Sequence, residues 1–235
     1  MKINFKIIGS KNIDLKKNYA SNKILKTIKN KDVIIFLAAE APVKNIQTLL
    51  NNIEIINSIL TGVNSKKISN LIYISSDAVY TDSKKKLSEN SLTNPSNYHG
   101  MMHVIREKLL ENKFPNKLAV LRPTMIYGKH DTHDGYGPNQ FLRLALENKE
   151  IKLFGKGEER RDHIYIENVI DILLSCIVRK GVGRLNLATG KVVSFKNLAL
   201  EAIITAKSKS KIKFLPRKGP MPHNGYRPFN VKLLN

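Results

Sequence analysis

The sequence has little of what several protein classes require. Cys176 is the only cysteine among 235 residues, which excludes an intramolecular disulfide and a thiolate metal cluster. No apolar run reaches the roughly 18 residues that a transmembrane helix needs. The first residues also lack the apolar stretch and small-residue cleavage site of a signal peptide. We therefore expect a cytoplasmic protein with no membrane partner.

Acidic residues are scarce beside basic ones. The chain has 19 Asp and Glu against 40 Lys and Arg, a formal net charge of +21. Such a charge favours nucleic-acid binding when the basic residues cluster. Here they are scattered through nearly every segment, and only 84–86 and 207–213 are local concentrations. No recognised nucleic-acid module accompanies them, so the charge indicates solvated surfaces, and we expect no nucleic-acid partner.

Segments of strand length and helix length alternate along the chain. Hydrophobic residues make up 42% of it, enough to fill a core. The predicted strands are 5–8, 33–37, 71–74, 118–121 and 181–187, and the predicted helices are 20–28, 45–60, 96–110, 141–147 and 195–206. Because βα units build parallel sheets, this alternation predicts an α/β fold with a doubly wound parallel sheet. The run 33–37 is apolar throughout, as in strands buried on both faces.

Two motifs frame the centre of the sequence. The strand 71–74 leads into Ser75-Ser76-Asp77-Ala78-Val79-Tyr80, and Tyr98 stands at the start of the next helix. They resemble the Ser-x-x-Val-Tyr and Tyr-x-x-x-Lys pair of extended short-chain dehydrogenases. Further matches follow in the family's order, at 14–15, 32–39, 121–128 and 153–166. The chain is identified as a member of the NAD-dependent epimerase/dehydratase family, which acts on sugar nucleotides.

The resemblance implies a Rossmann-like domain with a small C-terminal substrate lobe. After Pro123 the composition changes, since 128–138 is rich in His, Asp and Gly, as in a loop. We place the nucleotide-binding domain at 1–127 plus about 161–190. The substrate lobe is expected at about 128–160 plus 191–235.

The family's chemistry assigns two catalytic residues. Its tyrosine exchanges a proton with the sugar oxygen while the nicotinamide takes or gives a hydride at the same carbon. Its serine orients that oxygen and shares its developing charge. The resemblance therefore implies Tyr98 as the acid/base and Ser76 as the orienting donor.

The family's lysine is replaced by Met102. That lysine normally holds the cofactor ribose and lowers the pKa of the tyrosine, so its loss affects oxidation more than reduction. His103 is the next residue, but its five-residue offset from Tyr98 turns it about 140° around the helix, against about 40° for position 102. We do not expect His103 to replace the lysine.

The family's opening strand and Gly-x-x-Gly-x-x-Gly are also missing, because Gly9 is the only glycine before Gly62. These glycines let the backbone approach the cofactor pyrophosphate. What precedes Asp14 resembles the family's second strand, so we expect that the first βα unit is absent, through a misplaced start or a truncated gene. The tail 226–232 resembles the family's closing Arg-Pro-x-Asp segment.

The remaining cofactor contacts follow by position in the family. They are Ser10, Lys11, Asp14, Leu15, Leu37, Ala38, Ala39, Tyr98, Pro123 and Thr124. An acidic residue after the second strand would bind the ribose 2′-hydroxyl of NAD. Ser10 and Lys11 stand there instead, which favours NADP over NAD.

Substrate contacts are implied in the same way. Asp77 lies beside Ser76, Asn139 and Phe141 open the helix at the nucleotide-sugar position, and Arg161 and Arg227 match arginines that hold the diphosphate. They compete with the simpler interpretation that two arginines among many basic residues lie on the surface. The loop 130–134 resembles a metal cluster only in composition, and we expect no metal there.

The reaction is narrowed by what surrounds Ser76. The family's dehydratases use Thr-Asp-Glu before Val-Tyr, and Ala78 stands in place of the Glu. Fucose-type epimerase-reductases have a cysteine where Asp77 stands. A 4-epimerase or 4-ketoreductase of a nucleotide sugar remains, within cell-surface polysaccharide biosynthesis and compatible with a homodimer. The alternative is an impaired or truncated family member that binds a sugar nucleotide or a partner without turnover.

Overall fold

The computed structural model describes residues 4–65, 67–131 and 135–234. These residues form two compact units. The first unit consists of Met1–Thr81, Leu92–Arg122 and Leu173–Leu185, and the second of Asp82–Ser91, Pro123–Ile172 and Asn186–Asn235. Whether this division is also the functional one, with a cofactor domain and a substrate lobe, stays a prediction.

The helices and strands alternate through most of the described chain. In chain order they are α1 Ala20–Thr27, β1 Val33–Phe36, α2 Ile46–Gly62, β2 Asn70–Ile74, the 3-10 helix Asp77–Val79, α3 Tyr98–Lys113, β3 Leu118–Pro123, β4 Met125–Tyr127, α4 Pro138–Leu146, β5 Ile151–Phe154, β6 Arg160–Tyr165, α5 Ile166–Arg179, β7 Gly183–Leu187, β8 Val192–Ser194, α6 Phe195–Thr205, β9 Ile212–Leu215 and the 3-10 helix Pro222–Gly225.

The largest sheet has the strand order β1-β2-β3-β7. Strand β2 pairs in parallel with β1 on one side and with β3 on the other. Every residue of β3 is buried, and Leu71 and Ile72 of β2 are fully buried, as expected for the centre of a parallel sheet covered on both faces. The predicted α/β, parallel-sheet Rossmann-like class is confirmed.

Strand β1 lies at the edge of this sheet, which corrects one expectation. Its residues Val33, Ile34 and Ile35 are only partly buried, and Leu37 after it is 65% exposed. The apolar run was expected to be buried on both faces, but among the described strands β1 pairs only with β2. The predicted strand 5–8 is wrong, since these residues form no regular structure. A strand needs a neighbour for its hydrogen bonds, and this segment has none among the described strands.

Hydrophobic side chains from α1, α2, α3 and the sheet form the core of the first unit. Helix α2 begins with a capping box, because the Asn45 side chain accepts the amide of Thr48 and the Thr48 hydroxyl accepts the amide of Asn45. The Ser58 hydroxyl of α2 donates to the carbonyl of Leu15 at 2.6 Å. This bond fixes the 14–15 loop on the core.

The second unit has its own aromatic core. Phe141 of α4 and Phe195 of α6 are buried and both contact the ring of Tyr136. A small sheet of order β4-β6-β8 and the parallel pair of β5 and β9 complete this unit. None of the described helices combines the length and apolar character needed to cross a membrane.

Candidate functional site

The Ser76 segment follows directly from the carboxyl end of β2. The Ser76 oxygen accepts the amide of Ala78 at 3.1 Å and so caps the 3-10 helix Asp77–Val79. Since a serine hydroxyl also carries a hydrogen, this bond leaves Ser76 able to donate to another oxygen. Ligands of open α/β sheets bind at the carboxyl ends of the strands, so Ser76 lies where such a ligand would be met.

The first turn of α3 packs against this segment. Asn97 caps the helix, accepting the amide of Gly100 at 2.9 Å. A Cβ added to Gly100 would lie 2.3 Å from the Ala78 carbonyl oxygen and 2.5 Å from the Pro95 Cβ. Only a glycine allows this approach. The structure thus brings the segments that carry Ser76 and Tyr98 into contact, with Tyr98 41% exposed.

Position 102 faces the interior. The Met102 side chain is fully buried, so an ammonium group at this position would lose its hydration. The next turn of α3 supplies a buried cation instead, because Arg106 is also fully buried. Its guanidinium lies over the ring of Phe36, 5.2 Å from the ring centroid.

Arg106 connects three elements below the carboxyl end of β1. One terminal nitrogen donates to the Ala38 carbonyl oxygen at 2.9 Å, and the other donates to the Asn52 side-chain oxygen at 2.6 Å. Asn52 in turn binds both backbone groups of Glu40, at 2.9 and 3.2 Å. These bonds fix the exposed segment Leu37, Ala38 and Ala39, which the sequence analysis predicts to contact the cofactor.

A second buried cation lies nearby in the same unit. Arg122 forms a salt bridge with Glu107 of α3, with its Nε 2.9 Å from a carboxylate oxygen. It also donates to the Tyr80 hydroxyl at 2.8 Å, and the Ser75 hydroxyl donates to Glu107 at 2.6 Å. Burial lowers the pKa of Arg122, but Glu107 more than offsets this and keeps the pKa above its ordinary value. This network holds β2, β3 and α3 together.

Two histidines of α3, His99 and His103, contact each other, and the second contacts Tyr73 of β2. The rings of His99 and His103 meet edge to face, with centroids 4.9 Å apart. His103 Nδ1 lies 2.7 Å from the Tyr73 hydroxyl. Burial lowers the pKa of His103 to about 3, and His99 and Arg106 add to this effect. Burial also raises the pKa of Tyr73, so the phenol donates and the neutral imidazole accepts.

The other residues predicted to contact the cofactor differ in how far they are exposed. Ser10 and Lys11 are exposed, and Asp14 and Leu15 are partly buried. Pro123 and Thr124 belong to the second unit, where both are buried. Thr124 donates from its amide and from its hydroxyl to the carbonyl of Leu187.

The second unit contains the residues assigned to the nucleotide sugar. Asn139 donates to Asp131 at 2.5 Å and accepts the amide of Gly128 at 3.3 Å. Its neighbour Phe141 is fully buried in the aromatic core. The Phe141 side chain therefore packs the aromatic core of the unit.

Arg161 and Arg227 lie in one buried cluster of this unit. Arg161 donates to Glu159 at 2.5 Å and to the Pro222 carbonyl at 2.7 Å. Arg227 donates to Asp82 at 2.9 Å, and the same Asp82 oxygen lies 2.5 Å from His223 Nδ1.

The surroundings of these arginines were not predicted. His223 and Asp82 are far apart in the sequence, and no local signal connects them. Burial lowers the pKa of His223, and the charge of Arg227 adds to this. His223 also lines a pocket of about 280 Å³ together with Ser83, Lys84, Asn224 and Tyr226.

The loop 130–134 is only partly described. Residues 132–134, which complete the composition that resembles a metal cluster, lie outside the described residues. Within 4–65, 67–131 and 135–234, no group of three or more His, Cys, Asp or Glu side chains is placed to hold a metal ion.

Comparison with known proteins decides the family. The profile of the NAD dependent epimerase/dehydratase family matches residues 7–188, well over half of the chain. The chain belongs to this family. The family match thus covers the β2 and α3 motifs together with every strand of the largest sheet.

Several curated relatives of this family member are dehydratases or epimerases. A dTDP-D-glucose 4,6-dehydratase of Dictyostelium discoideum is 28% identical over 213 residues, covering 80% of this chain and 49% of the relative. An uncharacterized UDP-glucose epimerase of Bacillus subtilis is 24% identical over 165 residues, covering 66% of this chain and 52% of the relative. The chain spans about half the length of these relatives.

Solved structures of epimerases share the fold of this family member. A UDP-N-acetylglucosamine 4-epimerase from Methanobrevibacter ruminantium, in complex with UDP-N-acetylmuramic acid, has a TM-score of 0.81 at 21% identity, over 95% of this chain and 74% of that one. A UDP-glucuronic acid 4-epimerase mutant from Bacillus cereus, in complex with NAD, has a TM-score of 0.78 at 21% identity, over 94% and 72%.

The family implies a nicotinamide dinucleotide, and the first unit offers a place that fits part of it. The exposed backbone of Leu37, Ala38 and Ala39 follows β1 at the carboxyl end of the sheet. Below it the buried Arg106 donates to the neutral oxygens of Ala38 and Asn52, and among the described residues its Nε has no hydrogen-bond partner. A buried cation of this kind favours an anionic group nearby.

Proposed function

We propose that this protein is an NAD(P)-dependent oxidoreductase of a nucleotide sugar, of the 4-epimerase or 4-ketoreductase type. The observation that supports it most is the packing of the first turn of α3 against the Ser76 segment at the carboxyl end of β2. Because only a glycine at position 100 allows this close approach to Ala78, the packing depends on a specific residue of the sequence. An orienting hydroxyl and a proton-transfer side chain on these two segments suit hydride chemistry at a sugar carbon.

Each segment has a distinct task in this reaction. The bound cofactor supplies hydride transfer at the sugar carbon. Ser76 donates a hydrogen bond to the sugar oxygen and stabilises the charge that develops on it. A side chain of the first turn of α3, which the family motif places at Tyr98, exchanges the proton of that oxygen.

The proposed cofactor contacts follow the carboxyl ends of the strands. Leu37, Ala38 and Ala39 would line the phosphates and ribose on a backbone that Arg106 and Asn52 hold. The loop at Asp14 and Leu15 would contact the adenine. Pro123 and Thr124 remain assigned to the nicotinamide, and the exposed Ser10 and Lys11 support NADP in preference to NAD.

The proposed substrate contacts are the buried arginines of the second unit. Arg161 and Arg227 carry guanidinium groups that suit bidentate bonds to a diphosphate. Their grouping around the segment that holds Pro222 and His223 supports this role, with Asp77 and Asn139 assigned to the sugar. We propose epimerisation or ketone reduction over dehydration because Ala78 supplies no second carboxyl group beside Asp77.

A second candidate function has its own support. Position 102 is a fully buried methionine where the family has a lysine. A protein without that cation would bind a sugar nucleotide or a partner protein without turning it over.

One experiment separates the two candidates. The full chain is incubated with UDP- and dTDP-sugars and with NAD or NADP, while NMR follows C4 of the sugar and absorbance follows the nicotinamide. Turnover that falls about 100-fold in Ser76→Ala, but not in the exposed control Ser175→Ala, supports the oxidoreductase. Binding without turnover supports the second candidate, and a chain that binds neither ligand contradicts both.

A further inference from the structure

Exposed lysines concentrate where helices α4 and α6 end and strands β5 and β9 begin, all in the second unit. The segments 147–152 and 206–213 contain six lysines against two glutamates, a formal excess of four positive charges. All six lysines are exposed, and we call them the lysine cluster: Lys149, Lys152, Lys207, Lys209, Lys211 and Lys213. The proposed reaction uses none of them.

Hydrogen bonds join the two segments that carry the lysine cluster. The side-chain oxygen of Asn148 accepts the amide of Lys209 at 2.8 Å. The amide of Ile151 donates to the carbonyl oxygen of Lys211 at 2.9 Å. The backbone of the lysine cluster is therefore held in place as one surface.

The lysines of the second segment point to one side. Every odd-numbered residue from 207 to 213 is an exposed lysine, whereas the even-numbered residues between them are partly buried. Alternation of this kind places side chains on one side of an extended chain, about 7 Å apart. The register of β5 and β9 sets Lys152 beside Lys213. The charges thus form a row, with Lys152 extending it sideways.

The protein neutralises only part of this charge. Glu147 pairs with Lys149 at 2.6 Å, and a carboxylate oxygen of Glu150 lies 3.8 Å from the Lys213 nitrogen. The other four lysines of the cluster form no ion pair with the residues that the structure describes. A row of uncompensated ammonium groups favours an anionic partner.

Two large aliphatic side chains are exposed at the same ends of the helices. Leu146 in the last turn of α4 is 64% exposed, and Ile204 in the last turn of α6 is 68% exposed. The two helices share one buried core, to which Ala145 and Ala202 beside these positions belong. Aliphatic groups next to lysines suit a membrane surface, where lysines meet anionic headgroups and aliphatic groups enter the acyl boundary.

A nucleic acid would need a different surface. Single strands bind where aromatic side chains stack on the bases between basic residues. Phe214 is exposed, but it follows Lys213 directly in β9 and so points to the opposite face of the strand. The side chains that accompany the lysine cluster are aliphatic, which favours lipid.

We propose that the lysine cluster, with Leu146 and Ile204, is a docking surface for membranes that contain anionic lipids. The proposal goes beyond the proposed function and does not depend on it. We expected no membrane partner from the lack of a spanning segment, and a surface contact needs no such segment.

The first test measures sedimentation of the full chain with vesicles of phosphatidylcholine, alone or mixed with phosphatidylglycerol. We expect binding only to the vesicles that contain phosphatidylglycerol. The triple variant Lys207→Ser, Lys209→Ser and Lys211→Ser should bind them about 100-fold more weakly, as expected for about three lysines near an anionic surface.

The matched control replaces lysines 84–86, the other local concentration of charge, by serine. It removes the same number of charges from exposed positions, so it should weaken binding less than about five-fold if the position of the charges matters. Circular dichroism verifies that both variants are folded.

The second test uses fluorescence, because the chain contains no tryptophan. Ile204→Trp places one at the proposed contact, and its emission should shift to shorter wavelength when phosphatidylglycerol vesicles are added. Leu92→Trp is the control, since Leu92 belongs to the first unit and is 69% exposed, close to the 68% of Ile204. Its emission should stay unchanged.

Three outcomes would overturn the proposal. The first is an equal loss of vesicle binding in the two lysine variants, which would show that net charge alone acts. The second is a full chain that does not bind the vesicles, or an Ile204→Trp emission that they leave unchanged. The third is a single-stranded oligonucleotide that binds more tightly than the vesicles and loses its affinity in the 207–211 variant, which would assign the surface to a nucleic acid.

Discussion

Two arginines of the first unit are buried, and their charges are compensated by different groups. Arg122 meets a carboxylate, Glu107, and is held in a network with Ser75 and Tyr80. Arg106 donates hydrogen bonds to the neutral oxygens of Ala38 and Asn52. The first is a closed ion pair that holds the sheet to α3. The second keeps a positive charge that no carboxylate offsets in the described contacts, near the carboxyl end of β1 where we propose that the cofactor binds.

The largest expected effect is the loss of folding stability when Arg122 is replaced. Arg122→Met leaves Glu107 buried without its cation, so the free energy of unfolding should fall by about 3–5 kcal/mol. Urea unfolding monitored by circular dichroism measures this. The double variant Arg122→Met with Glu107→Leu is the control and should recover much of the loss. If the double variant is less stable than the single one, Glu107 is not the group that makes Arg122 necessary.

Arg106→Met should lower the free energy of unfolding by less than Arg122→Met does, by about 2 kcal/mol. It leaves carbonyl and amide oxygens without a donor, but it leaves no buried carboxylate without a cation. The same unfolding experiment provides the measurement. A loss as large as that of Arg122→Met would mean that Arg106 has an anionic partner, and the contrast between the two arginines would disappear.

The next largest effect concerns the loss of folding stability in acid, to which the buried His103 contributes. Burial, His99 and then Arg106 lower the pKa of His103 to about 3. The unfolded chain takes up a proton below about pH 6.5, whereas the folded chain does not, so this stability is present above pH 6.5 and is lost as the pH falls toward 3. The loss between pH 7 and pH 5 should be about 2 kcal/mol.

The two arginine variants should alter this acid loss differently. Arg106→Met removes one of the positive charges near His103, so the pKa of His103 should rise and the acid loss should shrink. Arg122→Met should leave the loss unchanged. Because the folded pKa of His103 lies well below 5, this difference develops only as the pH approaches 3, so unfolding at about pH 3 and pH 7 compares the variants. An equal acid loss in both would show that Arg106 does not act on His103.

The smallest expected effect concerns the cofactor. Arg106→Lys keeps the charge but loses one arm of the contact to Ala38 and Asn52. Binding of the reduced nicotinamide dinucleotide, followed by its fluorescence, should weaken about five-fold, as for the loss of ~1 kcal/mol of hydrogen bonding. Arg122→Lys should leave this binding within two-fold of the wild type by the same estimate. Equal weakening in both would remove the proposed link to the 37–39 segment.

Sequence reasoning succeeded where a signal was local. The apolar run 71–74 and the helix that begins at Tyr98 are both present in the structure, because burial and capping are encoded in neighbouring residues. The prediction of a strand at 5–8 was wrong because strand formation depends on a partner strand, which local sequence does not reveal. The pairing of Glu107 with Arg122, and the approach of His223 to Asp82, could not be predicted, since each joins residues that only the fold brings together.

The site itself was only partly accessible from sequence. The family resemblance located the Ser76 segment and the start of α3 and implied Tyr98 as the acid/base, and helical spacing set His103 aside. The structure adds what spacing does not contain, namely the edge-to-face contact of His99 with His103 and a His99 Nδ1 that is buried without a hydrogen-bond partner in the described part of the chain. Roles for these residues stay predictions until the variants are measured.

The edge strand β1 has a consequence for the behaviour of the protein in solution. An apolar sheet edge is a template on which a second chain can add a strand. The net charge of +21 opposes such an encounter between two copies, because like charges repel over a Debye length of about 10 Å at 0.1 M salt. Raising the salt to 1 M shortens that length to about 3 Å. Ionic strength should therefore control colloidal stability, with light scattering rising as salt is added.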